Sequence, residues 1–129
     1  MDEKLAKKGI EMRKAVLGAE YVERSMQSAD DFNQDFQGLL NEYCWGFCWG
    51  DDTLSRRERS ILNLGMIAAL GRTHEFELHF RGAINNGLTR EELKQVLHQI
   101  AVYCGMPAGV ESFRIARKVL AELDAKKEG

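Results

Sequence analysis

The chain has 129 residues, of which 44% are hydrophobic and 29% are charged, and its formal net charge is −2 at pH 7. This composition predicts one soluble domain over residues 1–129. The small charge, with bases scattered among acids, argues against nucleic-acid binding. No secretory signal or bilayer-length apolar run is visible, so we expect a cytoplasmic protein that does not bind membranes.

The three cysteines, an odd number without a secretory signal, argue against a disulfide framework. Cys44 and Cys48 lie four residues apart, with no histidine or second cysteine pair nearby at zinc-binding spacing. We therefore expect reduced thiols buried as small apolar side chains, and no metal site.

A single proline and the absence of alternating strand patterns predict an all-α protein of about six to seven helices. The first helix is predicted from Glu3 to Val16 and the second from Ala19 to about Gln27. A third begins at Asp30 or Asp31 and runs to about Trp45. Its apolar residues recur at helical spacing and are expected to pack inward: Phe32, Phe36, Leu39, Leu40 and Tyr43.

Two capping boxes mark helix starts in the second half, one at Ser55 with Glu58 and the other at Thr89 with Glu92. Gly87 fits the residue that follows a helix end, and Pro107 fits a first helical turn. The predicted helices are Arg56 to near Gly71, about Arg72 to Asn86, Arg90 to Cys104, and Pro107 to about Leu123, before a frayed tail from Ala125 to Gly129.

The segment from Ile61 to Leu70 is apolar nearly all round, which a helical domain of this size can hardly bury alone. We therefore expect a homo-oligomer. The aromatic segment from Tyr43 to Trp49 could supply part of the interface, although a tryptophan pair more often belongs to a core or a pocket wall.

The segment from Arg72 to Gly87 concentrates cations, carboxylates and histidines beside an apolar stripe. At helical spacing, Arg72, Glu75 and His79 share one face. Because imidazole titrates near neutral pH, His79 is a candidate for acid–base chemistry; the alternative is a half-buried structural histidine. The adjoining stripe consists of Phe76, Phe80, Ala83 and Ile84.

Three motifs spread along the chain are Trp45-Gly46-x-x-Trp49-Gly50, Glu77-Leu78-x-x-x-Arg81-Gly82-Ala83-x-Asn85-Asn86-Gly87, and Ala101-Val102-Tyr103-x-Gly105-Met106-Pro107-Ala108. Together they resemble the carboxymuconolactone decarboxylase family. The resemblance implies the helical fold of the alkylhydroperoxidase (AhpD-like) superfamily, whose small domains assemble into rings, commonly trimers or hexamers.

Within that superfamily, the peroxidase branch carries a Cys-x-x-Cys-x-x-x-His motif. Placing its histidine on His79 puts Arg72 and Glu75 at the cysteine positions, so the thiol pair that reduces peroxides is missing here. The resemblance instead implies decarboxylation of 4-carboxymuconolactone to the β-ketoadipate enol-lactone in aromatic catabolism. One departure is the loop Trp49-Gly50-Asp51-Asp52-Thr53-Leu54, where the branch usually reads Trp-x-Arg-Pro-Gly-Leu.

This reaction needs no cofactor, because the unsaturated lactone itself accepts the electron pair that departing carbon dioxide leaves behind. The protein must supply a proton, a donor to the developing oxyanion and cations that orient a dicarboxylate. The expected residues are His79 as acid or oxyanion donor, Glu75 as a carboxylate that orients the imidazole or an arginine, Arg72, Arg59 and Arg81 as carboxylate ligands, and Trp45 and Tyr103 as apolar pocket walls.

Alternatives remain at two levels. Each of the three arginines has surface ion pairing as its structural alternative. For the whole chain, the alternatives are a redox or peroxidase-related protein of the superfamily, and a non-catalytic oligomeric protein that binds a small ligand.

Overall fold

The computed structural model describes residues 2–128, and this part of the chain is entirely helical, with seven α-helices, one π-helix and no strand. The predicted all-α fold is confirmed. No helix in this range combines the length and apolar character needed to cross a membrane. The helices are α1 (Glu3–Leu17), α2 (Ala19–Gln27), α3 (Gln34–Leu39), π1 (Leu40–Cys48), α4 (Arg56–Leu70), α5 (Thr73–Asn85), α6 (Arg90–Cys104) and α7 (Met106–Glu128).

Both predicted capping boxes are present. The Ser55 hydroxyl accepts from the Glu58 amide at 3.1 Å, and the Glu58 carboxylate accepts from the Ser55 amide at 2.8 Å. Thr89 and Glu92 make the same reciprocal pair at the start of α6. These bonds satisfy amides that have no partner within the helix, which explains why α4 and α6 begin where the sequence predicts.

The predicted end of the last helix near Leu123 is wrong, because α7 continues to Glu128. Leu120 and Leu123 both pack against the core, and this burial outweighs the charged composition of the tail. The tail to residue 128 is therefore helical; Gly129 lies outside the described residues.

The chain divides into two compact units between Arg59 and Ser60. In the first unit, α1 packs directly on π1 through backbone contacts. A Cβ atom at Gly9 would lie 1.7 Å from the carbonyl oxygen of Asn41 and 2.7 Å from the amide nitrogen of Gly46. Only a residue without a side chain permits this approach.

The predicted single helix from Asp30 or Asp31 to Trp45 is corrected in two ways. Asp30 instead caps a turn, accepting from the amides of Phe32 and Asn33, and α3 begins only at Gln34. From Leu40 to Cys48 the helix is a π-helix, and the Trp49 amide donates to the Cys44 carbonyl five residues back, at 3.0 Å. π-helical turns are rare and often occur at functional sites.

The prediction that this segment's apolar stripe packs inward is also wrong. Phe32 is 98% exposed, Phe36, Leu39 and Tyr43 are exposed as well, and Leu40 is only half-buried. The buried side chains of π1 and its C-cap are instead Asn41, Trp45 and Trp49. Within π1, the wider turns change which residues share a face, so Tyr43 stays exposed while Asn41 and Trp45 are buried. Phe32 precedes α3, in the turn that Asp30 caps, so α-helical spacing does not apply to it.

The second unit has its own core, formed by one face each of α4, α5, α6 and α7. Of the nearly all-apolar segment in α4, only Leu64 is fully buried, while Ile61, Leu62, Met66 and Leu70 stay exposed. The core residues are Leu64, Phe76, Phe80, Ala83, Leu88, Leu93, Leu97, Ile100, Ile115, Ala116 and Val119.

Candidate functional site

His79 and Glu75 lie one turn apart on α5, and the structure brings them together as predicted. His79 is half-buried, and Phe76 and Phe80 beside it in the helix belong to the core. Burial lowers the pKa of His79, and the Glu75 carboxylate raises it by a smaller amount, so the net shift is downward. The free protein therefore holds a mostly neutral imidazole at pH 7, which can donate a hydrogen bond.

Arg72 is not part of this helix, contrary to the predicted start of α5. It is the N-cap residue with φ −88° and ψ 80°, directly after Gly71, whose φ is +71°. Its side chain is exposed and forms no ion pair within residues 2–128. It lines a cavity of about 270 Å³ together with Phe76, Pro107 and Ser112. The guanidinium is thus available to an anion beside an apolar wall.

Arg81 is engaged in ion pairs that join α5 to α7. Its Nη2 donates to Glu77 Oε2 at 3.3 Å and to Glu122 Oε2 at 2.5 Å, and Lys118 Nζ donates to Glu77 Oε1 at 3.0 Å. The hydrogen bond from Lys118 is the largest effect that lowers the pKa of Glu77. The structural alternative for Arg81, ion pairing, is therefore present in the structure, and a contact with substrate stays a prediction.

Tyr103 lies near the end of α6 and is 83% exposed. It lines an apolar groove of about 450 Å³ with Ile61, Leu62 and Met66 of α4. This surface can accept an apolar group, which is compatible with the predicted role of Tyr103 as a pocket wall.

In the first unit, Arg59 is held by the loop that departs from the family pattern. Its Nη1 donates to Cys48 Sγ at 3.5 Å and its Nη2 donates to the Asp51 carbonyl oxygen at 3.1 Å. The Asp51 carboxylate accepts from the Thr53 amide at 2.8 Å. The pKa of Asp51 is lowered first by the hydrogen bond from the Thr53 side chain and then by this bond from the amide. The loop therefore fixes the position of Arg59 through its own backbone.

Trp45 is 4% exposed and stacks on Trp49 with ring centroids 4.9 Å apart. The pair forms the core of the first unit with Val16. The cysteines are free, as expected, and Cys104 is exposed. Of the two cysteines expected to be buried, Cys44 is half-buried, and the expectation is wrong for Cys48, which is exposed. Within residues 2–128, no group of three or more His, Cys, Asp or Glu side chains is placed to hold a metal.

One buried charge escaped the sequence reasoning. Arg13 is 5% exposed, and its Nη1 donates to Gln37 Oε1 and Asn41 Oδ1, both at 3.0 Å. Burial lowers the pKa of Arg13, because removal from water disfavours the charged guanidinium. The available signal was its spacing with Gly9 and Val16, which puts all three on the inner face of α1.

Comparison with known proteins gives the family. The profile of the carboxymuconolactone decarboxylase family matches residues 34–118. The chain belongs to this family. It is 38% identical over 127 residues to the 4-carboxymuconolactone decarboxylase of Acinetobacter baylyi, covering 98% of this chain and 95% of that protein. It is also 40% identical over 125 residues to a nitrosuccinic acid decarboxylase of Metarhizium robertsii, covering 97% of this chain and 87% of the relative.

The matched range of the family covers α3, π1, α4, α5 and α6, together with most of α7. It includes every residue predicted for the site, from Trp45 to Tyr103. Membership of a carboxymuconolactone decarboxylase family thus agrees with the resemblance seen in the sequence motifs.

Proposed function

We propose that the protein catalyses cofactor-independent decarboxylation of 4-carboxymuconolactone to the β-ketoadipate enol-lactone. The observation that carries the proposal is the half-buried His79 beside Glu75, in a chain whose two relatives of about 40% identity are both named decarboxylases. The substrate is a dicarboxylate lactone, and its carboxylates suit the arginines proposed as ligands.

The reaction divides into two steps. The bond between the ring carbon and its carboxylate breaks, carbon dioxide leaves, and the electron pair moves through the double bond to the lactone carbonyl oxygen. A proton then adds to the carbon next to that carbonyl, which gives the enol-lactone. The substrate is its own electron acceptor, so the protein has to stabilise the oxyanion and deliver one proton.

His79 is proposed for both tasks. A neutral imidazole donates a hydrogen bond to the developing oxyanion, and an imidazolium delivers the proton. Burial disfavours the cation in the free protein. A bound dianion has the opposite effect, because nearby negative charge favours the protonated ring. Glu75 orients the imidazole and adds to this effect.

Arg72 and Arg59 are proposed to bind substrate carboxylates, and Arg81 is the next candidate. An arginine on the departing carboxylate would stabilise the ground state and slow the reaction, so we assign an arginine to the side-chain acetate that is retained. Arg72 is the leading candidate because it is exposed, forms no ion pair within residues 2–128 and borders a cavity. Trp45 and Tyr103 are proposed as apolar walls that favour release of a neutral gas.

The fungal relative favours a second candidate substrate, nitrosuccinic acid. In both molecules one carbon carries a carboxylate, a carboxymethyl group and an electron-accepting group, the lactone in one and the nitro group in the other. A protein that binds the carboxymethyl carboxylate and protonates a delocalised carbanion has the equipment for either substrate.

The test is an ultraviolet assay of the purified chain with 4-carboxymuconolactone, paired with carbon dioxide release from both substrates. We expect turnover of the lactone, with a higher kcat/KM than for nitrosuccinic acid. The reverse order would transfer the assignment to the nitro acid. Binding without turnover of either would favour a non-catalytic ligand-binding protein, and peroxide consumption with a dithiol reductant would favour a redox protein.

A further inference from the structure

An acidic, aromatic surface of the first unit remains uncovered. The acidic stripe, so called because carboxylates border it, consists of five exposed apolar residues: Phe32 in the turn before α3, Phe36 and Leu39 in α3, and Tyr43 and Phe47 in π1. Tyr43 and Phe47 stack at 5.6 Å, so the stripe is ordered within itself. A monomer gains nothing by exposing aromatic side chains in a row, and such patches mark interaction surfaces.

The charge around this stripe has one sign. Residues 25–55 contain no lysine, arginine or histidine, and their charged residues are Asp30, Asp31, Asp35, Glu42, Asp51 and Asp52. Asp31 and Asp35 are exposed and border Phe32 and Phe36. The stripe therefore offers apolar rings edged by carboxylates.

The second unit carries a surface of the opposite charge. The basic groove lies between α6 and α7, has a volume of about 680 Å³, and has an apolar floor that includes Val102, Met106 and Val110, each about two-thirds exposed or more. Its rim carries His98, Arg114 and Arg117, and Arg117 has no ion-pair partner within residues 2–128. Glu111 is the only acid among residues 93–121, and it already pairs with Arg114.

We propose that the acidic stripe of one copy docks into the basic groove of a second copy. The contact consists of α3, π1 and the turn before them lying in an apolar groove, with Asp31 and Asp35 facing the cations on the rim. Because the two surfaces differ, the contact is head-to-tail, so each copy can contact two others. This contact does not depend on the proposed reaction. It names two surfaces that would join the copies of the homo-oligomer predicted from the sequence.

The opposite charges permit a test by reversal. In the first variant, Asp31→Lys with Asp35→Lys, a basic stripe meets a basic groove. In the second variant, Arg114→Glu with Arg117→Glu, both surfaces are acidic. Each variant alone should self-associate about 30-fold more weakly than the wild type in sedimentation equilibrium. Mixed together, the two should bind each other, and the quadruple variant should recover self-association.

One control and one further variant sharpen the test. Glu3→Lys with Glu11→Lys changes the charge equally on exposed positions of α1 and should leave association unchanged. Phe32→Ser removes a ring that is 98% exposed, so it should preserve folding, measured by circular dichroism and thermal unfolding, while weakening association about fivefold or more.

The proposal is wrong if the wild type is a monomer at all concentrations. It is also wrong if folded charge-reversed variants associate as the wild type does, which would place the contact on another face. Failure of both the mixture and the quadruple variant to associate would overturn it too. Association in the mixture shows that the contact forms between two copies, because mixing would not restore a contact within one chain.

Discussion

On α5, the carboxylate of Glu75 opposes the effect of burial on the imidazole of His79: burial lowers the pKa of His79, and Glu75 partly restores it. In the proposed reaction the ring must hold a proton that its burial disfavours. The rate of decarboxylation should therefore respond both to the ring and to the carboxylate one turn before it.

His79→Ala should lower kcat for 4-carboxymuconolactone about 10²-fold or more, because general acids usually contribute that much. The measurement is steady-state ultraviolet kinetics. His74→Ala is the matched control, since His74 is exposed in the first turn of the same helix. A rate for His79→Ala within about threefold of the wild type would contradict the acid role.

Glu75→Gln should shift the pH dependence of kcat/KM. If imidazolium is the acid, activity declines as pH rises through the pKa of His79, which lies below its usual value. Removing the carboxylate that raises this pKa moves the decline to lower pH. Glu77→Gln is the control, because its charge is not among those that act on His79. Identical profiles for wild type and Glu75→Gln would argue against the pairing.

The unfolding free energy should also depend on pH through His79. Its pKa is lower in the folded protein than in the unfolded chain, where it is about 6.5. As pH falls below that value, the unfolded state binds more protons, so stability declines. Urea unfolding at several pH values should show this decline in the wild type and a smaller one in His79→Gln. Parallel curves would show that burial has little effect on the imidazole.

Substitutions of Arg72 and Arg81 should differ in their effects on the kinetics and on the stability of the protein. Arg72→Lys should raise KM about tenfold with little change in kcat, because a bidentate carboxylate contact becomes a single one. Arg81→Met should instead lower the unfolding free energy by roughly 0.5–1 kcal/mol, since it removes the pairs with Glu77 and Glu122. A larger KM effect at Arg81 than at Arg72 would place the substrate carboxylate at Arg81.

Gly9 and Gly65 offer a matched pair of glycine-to-alanine changes within helices. Gly9→Ala forces a methyl group into the Asn41 carbonyl and should destabilise the protein by about 3 kcal/mol or more. Gly65→Ala meets no atom within 4 Å and should stabilise α4 by about 0.5–1 kcal/mol. Thermal unfolding measures both. Equal effects would mean that α1 and π1 are less closely packed than described.

Much of the helical framework follows from local signals. The capping boxes at Ser55 and Thr89 and the glycine at position 87 set helix ends through hydrogen bonds between near neighbours, which sequence shows directly. Spacing also brought Glu75 beside His79. The sequence predicts Arg72 as the first residue of α5, whereas the structure has it one position earlier, at the N-cap. In that position it borders a cavity with Pro107.

Two features lay beyond such signals. The inward stripe assumes one continuous α-helix, whereas Phe32 lies in a turn before α3 and the turns from Leu40 onward are π-helical. The ion pair of Arg81 with Glu122 joins residues 41 positions apart and depends on how α5 meets α7. Sequence spacing within one helix carries no information on either.

The π-helix also makes this part of the chain sensitive to length. Loss of one residue between Leu40 and Cys48 would let ordinary α-helical bonds form, and each side chain beyond the deletion would turn by about 100°. Trp49 would leave the core that it shares with Trp45, and a residue now facing water would take its place. Single-residue deletions should thus be tolerated far less well in this segment than substitutions on its exposed side.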